Sequence, residues 1–416
     1  MMRRFDNSNL RHAASYKPKI ETFSVCEKLF VSPFTEWTEK FVPDWISPNM
    51  ITVFGMIPGL GCAGLAAAYS PDMESPLPRW VCFAIALLTL MFLWCDSLDG
   101  KHARRTGMCT MTGDIYDHAG DTMTYLFGVT SVASMLRLGT SVWSFLLDYT
   151  AVLASFAFQW DTYHTGTMRF GRISGPTEGV LGLVAIGIVS GLAGPDFWLV
   201  SFQNITLGCW AVILVVATLG LTIGNDFQNI TLGCWAAILV VATLGLTIGN
   251  DMGAVLMHRR RIEGDWSAAP LLDFVYPAAQ LVSGLLWIHF FPEVYAAMPR
   301  VFLAVMGLPL LLWTVELIVG RIGGVTTSPL SGWALLPALA PVAALPLGAF
   351  DWPMQASFLY FTETPTLCNY CMFTAMLLGT YTAIWLSRIL RQLSDYFHTP
   401  ALRAFKPAAR PARPVA

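Results

Sequence analysis

The sequence predicts an all-α, polytopic integral membrane protein. It expects about ten transmembrane helices plus one duplicated span, preceded by an N-terminal interfacial amphipathic helix. Three observations carry that fold class. Hydrophobic residues make up 55% of the 416 residues and charged residues only 12%, about half the charge of a soluble domain. The mean hydropathy is +0.56. Apolar stretches near the roughly 20 residues that cross a bilayer recur along most of the chain. Lys plus Arg number 25 against 27 Asp plus Glu, so no basic excess points to nucleic acid as a partner.

Residues 1–17, with Arg3, Arg4 and Arg11, read as flexible and lack the early apolar core of a signal peptide. From 18 to 46, Phe30, Phe34, Trp37, Phe41 and Trp45 interleave with Glu36, Glu39 and Lys40. A helix there is amphipathic, with two tryptophans placed for a headgroup layer. Ser47-Pro48-Asn49 marks the start of the first span, because Pro is accepted in the first turn of a helix and rejected inside it. Candidate spans follow at 50–70, 79–95, 118–138, 141–160, 179–194, 202–224, 227–249, 268–291, 299–319, 328–349 and 368–388. The tail 389–416 carries Arg391, Arg403, Lys406, Arg410 and Arg413 among repeated Pro and Ala. It reads as a disordered cytosolic tail attracted to anionic lipid.

Residues 202–226 and 227–251 are copies that differ only at Val212 and Ala237. If both copies cross, His258-Arg259-Arg260-Arg261 and the basic tail leave the side that carries Lys101, Arg104 and Arg105. If the pair contributes one net crossing, all the basic segments share one side, as the positive-inside rule asks. The expectation is an ancestral pattern of about ten spans, with the extra copy displaced, peripheral or artefactual. The nine cysteines lie mostly in apolar segments, where a free thiol behaves as a small hydrophobe. Cys368 and Cys371 form a lone CxxC, which without a second pair or nearby His gives no basis for zinc.

The chemistry concentrates between Asp96 and Asp121. Asp96 and Asp99 are three apart at the end of one apolar segment, and Asp117 and Asp121 four apart at the start of the next. Each pair therefore shares a helix face. If the two helices are neighbours, four carboxylates converge at one membrane boundary and repel one another. Two divalent cations offset that repulsion, and oxygen ligands favour Mg²⁺, Mn²⁺ or Ca²⁺ over zinc. Magnesium commonly completes its shell with phosphate oxygens, which implies a phosphate-bearing substrate. Gly100 and Gly113 let a ligand approach the backbone, Ala103 keeps the wall thin, and Arg104 supplies a phosphate-matching fork. Singly, each residue reads as a cap or an interfacial charge; jointly they read as a site.

The pattern Asp-x2-Asp-Gly-x2-Ala-Arg-x8-Gly-x3-Asp-x3-Asp is filled by Asp96, Asp99, Gly100, Ala103, Arg104, Gly113, Asp117 and Asp121. It resembles the signature of the CDP-alcohol phosphotransferases. Trp45-Ile-Ser-Pro-Asn-Met-Ile-Thr52, Asp99-Gly-Lys-His-Ala-Arg-Arg-Thr106, Tyr116-Asp-His-Ala-Gly-Asp121, Trp160-Asp-Thr-Tyr-His-Thr-Gly-Thr167 and Gly175-Pro-Thr-Glu-Gly179 resemble the eukaryotic choline/ethanolamine branch. The clear motifs cover roughly 20–180, and the duplicated span departs from the family pattern. The resemblance implies an integral membrane enzyme of the endoplasmic reticulum, with the Golgi as the alternative, and an active site facing the cytosol. Its substrates would be CDP-ethanolamine or CDP-choline and diacylglycerol, CMP would be released, and the assembly would be a homodimer among membrane lipid.

That resemblance implies Asp96, Asp99, Asp117 and Asp121 as ligands of two Mg²⁺ or Mn²⁺ ions. It implies Asp121 as the base that takes the acceptor proton, with Glu178 and His118 as the other candidates. The chain then divides into an N-terminal segment at 1–46, a catalytic core at 47–200, a C-terminal bundle at 201–390 and a basic tail at 391–416. His164 is a candidate for the headgroup pocket or a plain interfacial residue. Rival readings are a family member with another headgroup or acceptor, and a cation-coupled transporter. A transporter expects broken helices at the midplane and related halves, whereas these acids sit at one boundary.

Overall fold

The computed structural model of the chain describes residues 5–16, 20–22, 24–169, 176–203, 205–221, 252, 255–256, 258–259, 269–327, 363–400 and 402–404. Helix α1 (Asn7–Ser15) opens on Asp6, whose carboxylate accepts the Ser8 and Asn9 amides while the Asn9 side chain accepts the Asp6 amide. This corrects the expectation of a flexible start over 7–15. A reciprocal cap satisfies the first orphan amides of a helix, and hydropathy does not register it. Tertiary bonds complete the helix: Asn9 Nδ2 donates to Gly323 O at 3.1 Å, and Phe5 and Gln392 exchange two bonds at 3.1 Å.

A π-helical turn, Glu27–Val31, continues as α2 (Ser32–Glu39). Leu29, Phe30, Phe34, Trp37, Phe41 and Trp45 on its outer side are between 53% and 72% exposed, the surface expected of an interfacial helix. Its inner side is polar and grips the helix that carries the acidic motif. Ser47 and Pro48 start α3 (Pro48–Tyr69), and α4 (Arg79–Thr106) follows. Lys101 of α4 donates to Ser32 O at 2.9 Å and to the Thr35 hydroxyl. Trp94 Nε1 donates to Thr38 Oγ1 at 3.0 Å. Fully buried His102 donates to Ile46 O at 3.0 Å and faces Glu39 Oε1 at 3.2 Å, where Arg105 Nε also donates. Glu39→Leu removes the carboxylate that accepts Arg105 Nε beside the buried His102 ring. A lost bond to a charged group costs about 2 kcal/mol, so we expect a lower melting temperature, read by thermal unfolding in detergent.

Helix α4 runs eleven residues beyond the expected 95, to 106, and α5 (Met111–Met135) begins seven residues before the expected 118. Both extensions carry charged residues that find partners, so hydropathy ends the spans too soon. Gly107, at φ +73°, closes α4 in the left-handed region where glycine is favoured, and Thr110 Oγ1 accepts the Gly113 amide at 3.0 Å to cap α5. Helix α3 lies against both. A Cβ on Gly55 would come 2.7 Å from Cys95 Cβ, and one on Gly59 would overlap Thr124 Cγ2. This Gly-x3-Gly spacing brings membrane helices close.

The chain continues through α6 (Val142–Thr165), α7 (Pro176–Ala193), α8 (Leu207–Leu221), α9 (Val275–Phe290), α10 (Pro292–Ala297), α11 (Pro299–Gly323) and α12 (Thr364–Phe397). Among the described residues, seven helices are long and apolar enough to cross a membrane. Helix α11 is buried on every side and packs against α5, α6 and α12, as a helix that is apolar all round requires. Helix α12 runs nine residues past the expected 388, so 389–397 belong to a helix and not to a disordered tail. Cys368 and Cys371 are free thiols on its buried side. The expected spans 227–249 and 328–349 lie outside the described residues, as does most of the duplicated pair.

The helix ends define two faces. The motif face holds the α4–α5 turn, Tyr16, Asp273, the end of α11 and Gln392 near the end of α12. The opposite face holds the Arg137–Asp196 pair, Tyr295 against Ser141 O, and Gly208 beneath Leu136 O. Gly208 lies at the opposite face and Asp273 at the motif face. Residues near both ends of the described chain share the motif face.

Candidate active site

The four signature aspartates are brought together by two antiparallel helices. Asp96 lies within hydrogen-bonding reach of Asp117 and Asp121 across the α4–α5 seam. Asp99, 5% exposed, sits one turn deeper into the turn region. Thr52 Oγ1 of α3 donates to Asp99 Oδ2. Asp117 Oδ1 is buried and has no hydrogen-bond partner among the described residues. An orphaned carboxylate oxygen inside a group of four acids is costly unless a cation takes it. Asp117, His118 and Asp121 offer ligand atoms that lie within 4.8 Å of one another. The donor set of oxygens with one imidazole fits a hard divalent cation.

The remaining expected residues are placed as follows. Arg104 folds back over Gly100, where an added Cβ would stand 3.3 Å from its Nη1. Its guanidinium stays exposed at the mouth, and Ala103 is half-buried beside it. Gly113 is not an open approach: a Cβ there would meet Asn49 Oδ1 at 3.0 Å and Thr110 Oγ1 at 3.3 Å. Its small size seats the α3 start and the α5 cap. His118 lies between two acids, with Nε2 3.5 Å from Asp114 Oδ1 and Nδ1 3.8 Å from Asp117 Oδ2. Glu178 stands in the first turn of α7, where its Oε1 accepts the Cys26 amide at 3.0 Å. His164 is turned toward Asp273, 3.4 Å away, which also accepts Trp160 Nε1 at 2.9 Å.

Two residues escaped the sequence reading. Thr52 orients Asp99 from 47 positions away, and nothing local distinguishes it from a packing threonine. Glu27 interacts electrostatically with Asp96 and Lys101 and accepts from Thr177 Oγ1 at 3.1 Å. It ties the interfacial helix to the start of α7, beside Glu178. In the sequence it looks like one more acid on the wet side of an amphipathic segment.

Residues 45–217 match the family model described as CDP-alcohol phosphatidyltransferase. Among similar curated proteins, an uncharacterized CDP-alcohol phosphatidyltransferase class-I family protein 3 of Dictyostelium discoideum is 36% identical over 193 residues, which cover 46% of this chain and 48% of that one. Cholinephosphotransferase 1 of Rattus norvegicus is 32% identical over 205 residues, covering 48% and 51%. Choline/ethanolaminephosphotransferase 2 of Arabidopsis thaliana is 32% identical over 192 residues, covering 46% and 49%. The chain spans about half the length of the curated relatives it matches.

Proposed function

We propose, from the match of residues 45–217 to the CDP-alcohol phosphatidyltransferase family model, that the chain transfers phosphoethanolamine or phosphocholine from CDP-ethanolamine or CDP-choline to the hydroxyl of 1,2-diacylglycerol. CMP leaves, and phosphatidylethanolamine or phosphatidylcholine forms. The observation that carries this reading is the intact eight-residue signature with its four carboxylates gathered around an unpartnered Asp117 oxygen. The relatives named for choline and ethanolamine support the choice of headgroup.

In this reading Asp96, Asp99, Asp117 and Asp121 hold two divalent ions, Mg²⁺ or Mn²⁺. Such ions neutralise a diphosphate and stabilise CMP as leaving group. Thr52 holds Asp99 in place, and Arg104 at the mouth offers its fork to a phosphate. The acceptor proton goes to Asp121, Glu178 or His118. Asp121 shares the cation-holding cluster, which makes a carboxylate a weaker base. Glu178 stands outside that cluster, at the start of α7. Lys28, Lys40, Lys101, Arg104 and Arg105 gather at the motif face, which supports a cytosolic orientation in an endoplasmic reticulum membrane.

The test supplies purified protein with diacylglycerol and either donor, with and without Mg²⁺ or Mn²⁺, and follows CMP. Metal-dependent CMP release that requires diacylglycerol is expected. No metal-dependent CMP with either donor would overturn the reading. The same assay tests Glu178 as the base, since Glu178→Gln leaves the four aspartates and His118 in place.

A further inference from the structure

A buried ion pair beside the aspartate cluster has no part in the reading above. Arg321 stands in the last turn of α11, outside the segment 45–217 that carries the family resemblance. Its side chain is only 4% exposed. Nη2 donates to Asp114 Oδ2 at 2.7 Å and Nη1 to Gln159 Oε1 of α6 at 3.2 Å. The guanidinium lies 5.7 Å from the Tyr16 ring centroid, and the Tyr16 hydroxyl reaches the same Asp114 Oδ2 at 3.5 Å. The other oxygen, Oδ1, faces His118 Nε2 at 3.5 Å, one helical turn on. The second ring nitrogen, Nδ1, faces Asp117 Oδ2 at 3.8 Å.

We propose that Arg321 is a positioning residue for the cation-holding cluster, acting on His118 through Asp114. The proposal rests on the metal reading of the aspartates. A carboxylate that turned freely would offer either oxygen to its neighbours. Here Arg321 and Tyr16 occupy Oδ2, which leaves Oδ1 to accept the His118 Nε2–H. That bond fixes the imidazole tautomer and points the Nδ1 lone pair at Asp117 and the cation cavity. A carboxylate behind an imidazole orients the ring and raises its basicity, and losing such a partner weakens metal affinity by about 10–100-fold. The rival account is a structural pair. Buried pairs of that kind can be exchanged for apolar or neutral residues of similar volume without loss of stability.

The two accounts part in one measurement. The full chain in detergent is melted over a series of Mn²⁺ concentrations, since an ion that binds the folded state raises the melting temperature by mass action. The variants are Arg321→Met with Asp114→Asn, which removes both buried charges together, and Arg321→Lys, which keeps a buried cation but not the two-pronged grip. We expect the double variant to recover the metal-free melting temperature while needing about 10–100-fold more Mn²⁺ for the same stabilisation, with Arg321→Lys between it and wild type. Wild-type Mn²⁺ dependence in both variants overturns the proposal. Asp117→Asn separates the two layers. If wild type responds to Mn²⁺ and Asp117→Asn does not, the metal reading stands whatever Arg321 does. If wild type itself shows no response, the metal reading fails and the proposal fails with it.

Discussion

Asp117→Asn lowers CMP release by about a thousandfold, while the metal-free protein keeps its fold and a melting temperature equal to or above that of wild type. Both halves follow from the same geometry. Asp117 Oδ1 is buried, without a hydrogen-bond partner among the described residues, and among three other carboxylates. Its charge serves the fold poorly and a cation well. The amide is nearly the same size but binds a hard cation weakly. Losing roughly 4 kcal/mol of transition-state stabilisation is about three factors of ten. Removing one of four like charges relieves repulsion in the ion-free protein. Asp99→Asn behaves in the same way, because the Asn oxygen still accepts from Thr52. The measurement pairs CMP release with thermal melts in Mn²⁺ and in chelator. Near-normal turnover in Asp117→Asn would refute the metal role.

The four aspartates were legible because their spacing is local. Three and four residues on a helix put side chains on one face whatever the rest of the fold does. The spans were legible for a similar reason, since the bilayer imposes one length and one composition on each. The exposed stripe of α2 belongs to that class of signal, because interfacial helices separate polar and apolar residues by period alone. Helix ends were less legible. Gly107 and the Thr110 cap set the α4–α5 turn, and charged residues lie inside both helices because they are paired there. Thr52, Glu27, Asp114 and Arg321 were not legible as site residues. Asp114 lies among the positions that the signature leaves open, and Arg321 is 207 positions away from it in the chain. Which distant side chain meets which acid is decided by helix packing, and hydropathy carries no record of that.

Helix packing is itself open to a decisive substitution. Gly59→Ala is expected to lower stability by about 3 kcal/mol and to reduce CMP release with it. The added Cβ would overlap Thr124 Cγ2 and stand 3.3 Å from Thr124 Oγ1. Helix α3 has little room to retreat, since Gly55 holds it just as closely to Cys95 of α4, and Pro58 lies inside the same turn. Any shift of α3 that relieves the clash also moves Thr52, two turns nearer the motif face, away from Asp99. Activity therefore falls together with stability, although Gly59 touches no signature residue. The compensating change is Thr124→Ala. It removes Cγ2 and a buried hydroxyl that has no hydrogen-bond partner among the described residues, so it is expected to be neutral or slightly stabilising by itself. In the double variant the nearest approach becomes that of two Cβ atoms at 3.4 Å, an ordinary contact. Melting temperature and CMP release should both return toward wild type. If Gly59→Ala alone melts like wild type, the close approach of α3 and α5 is not what holds Thr52 over Asp99.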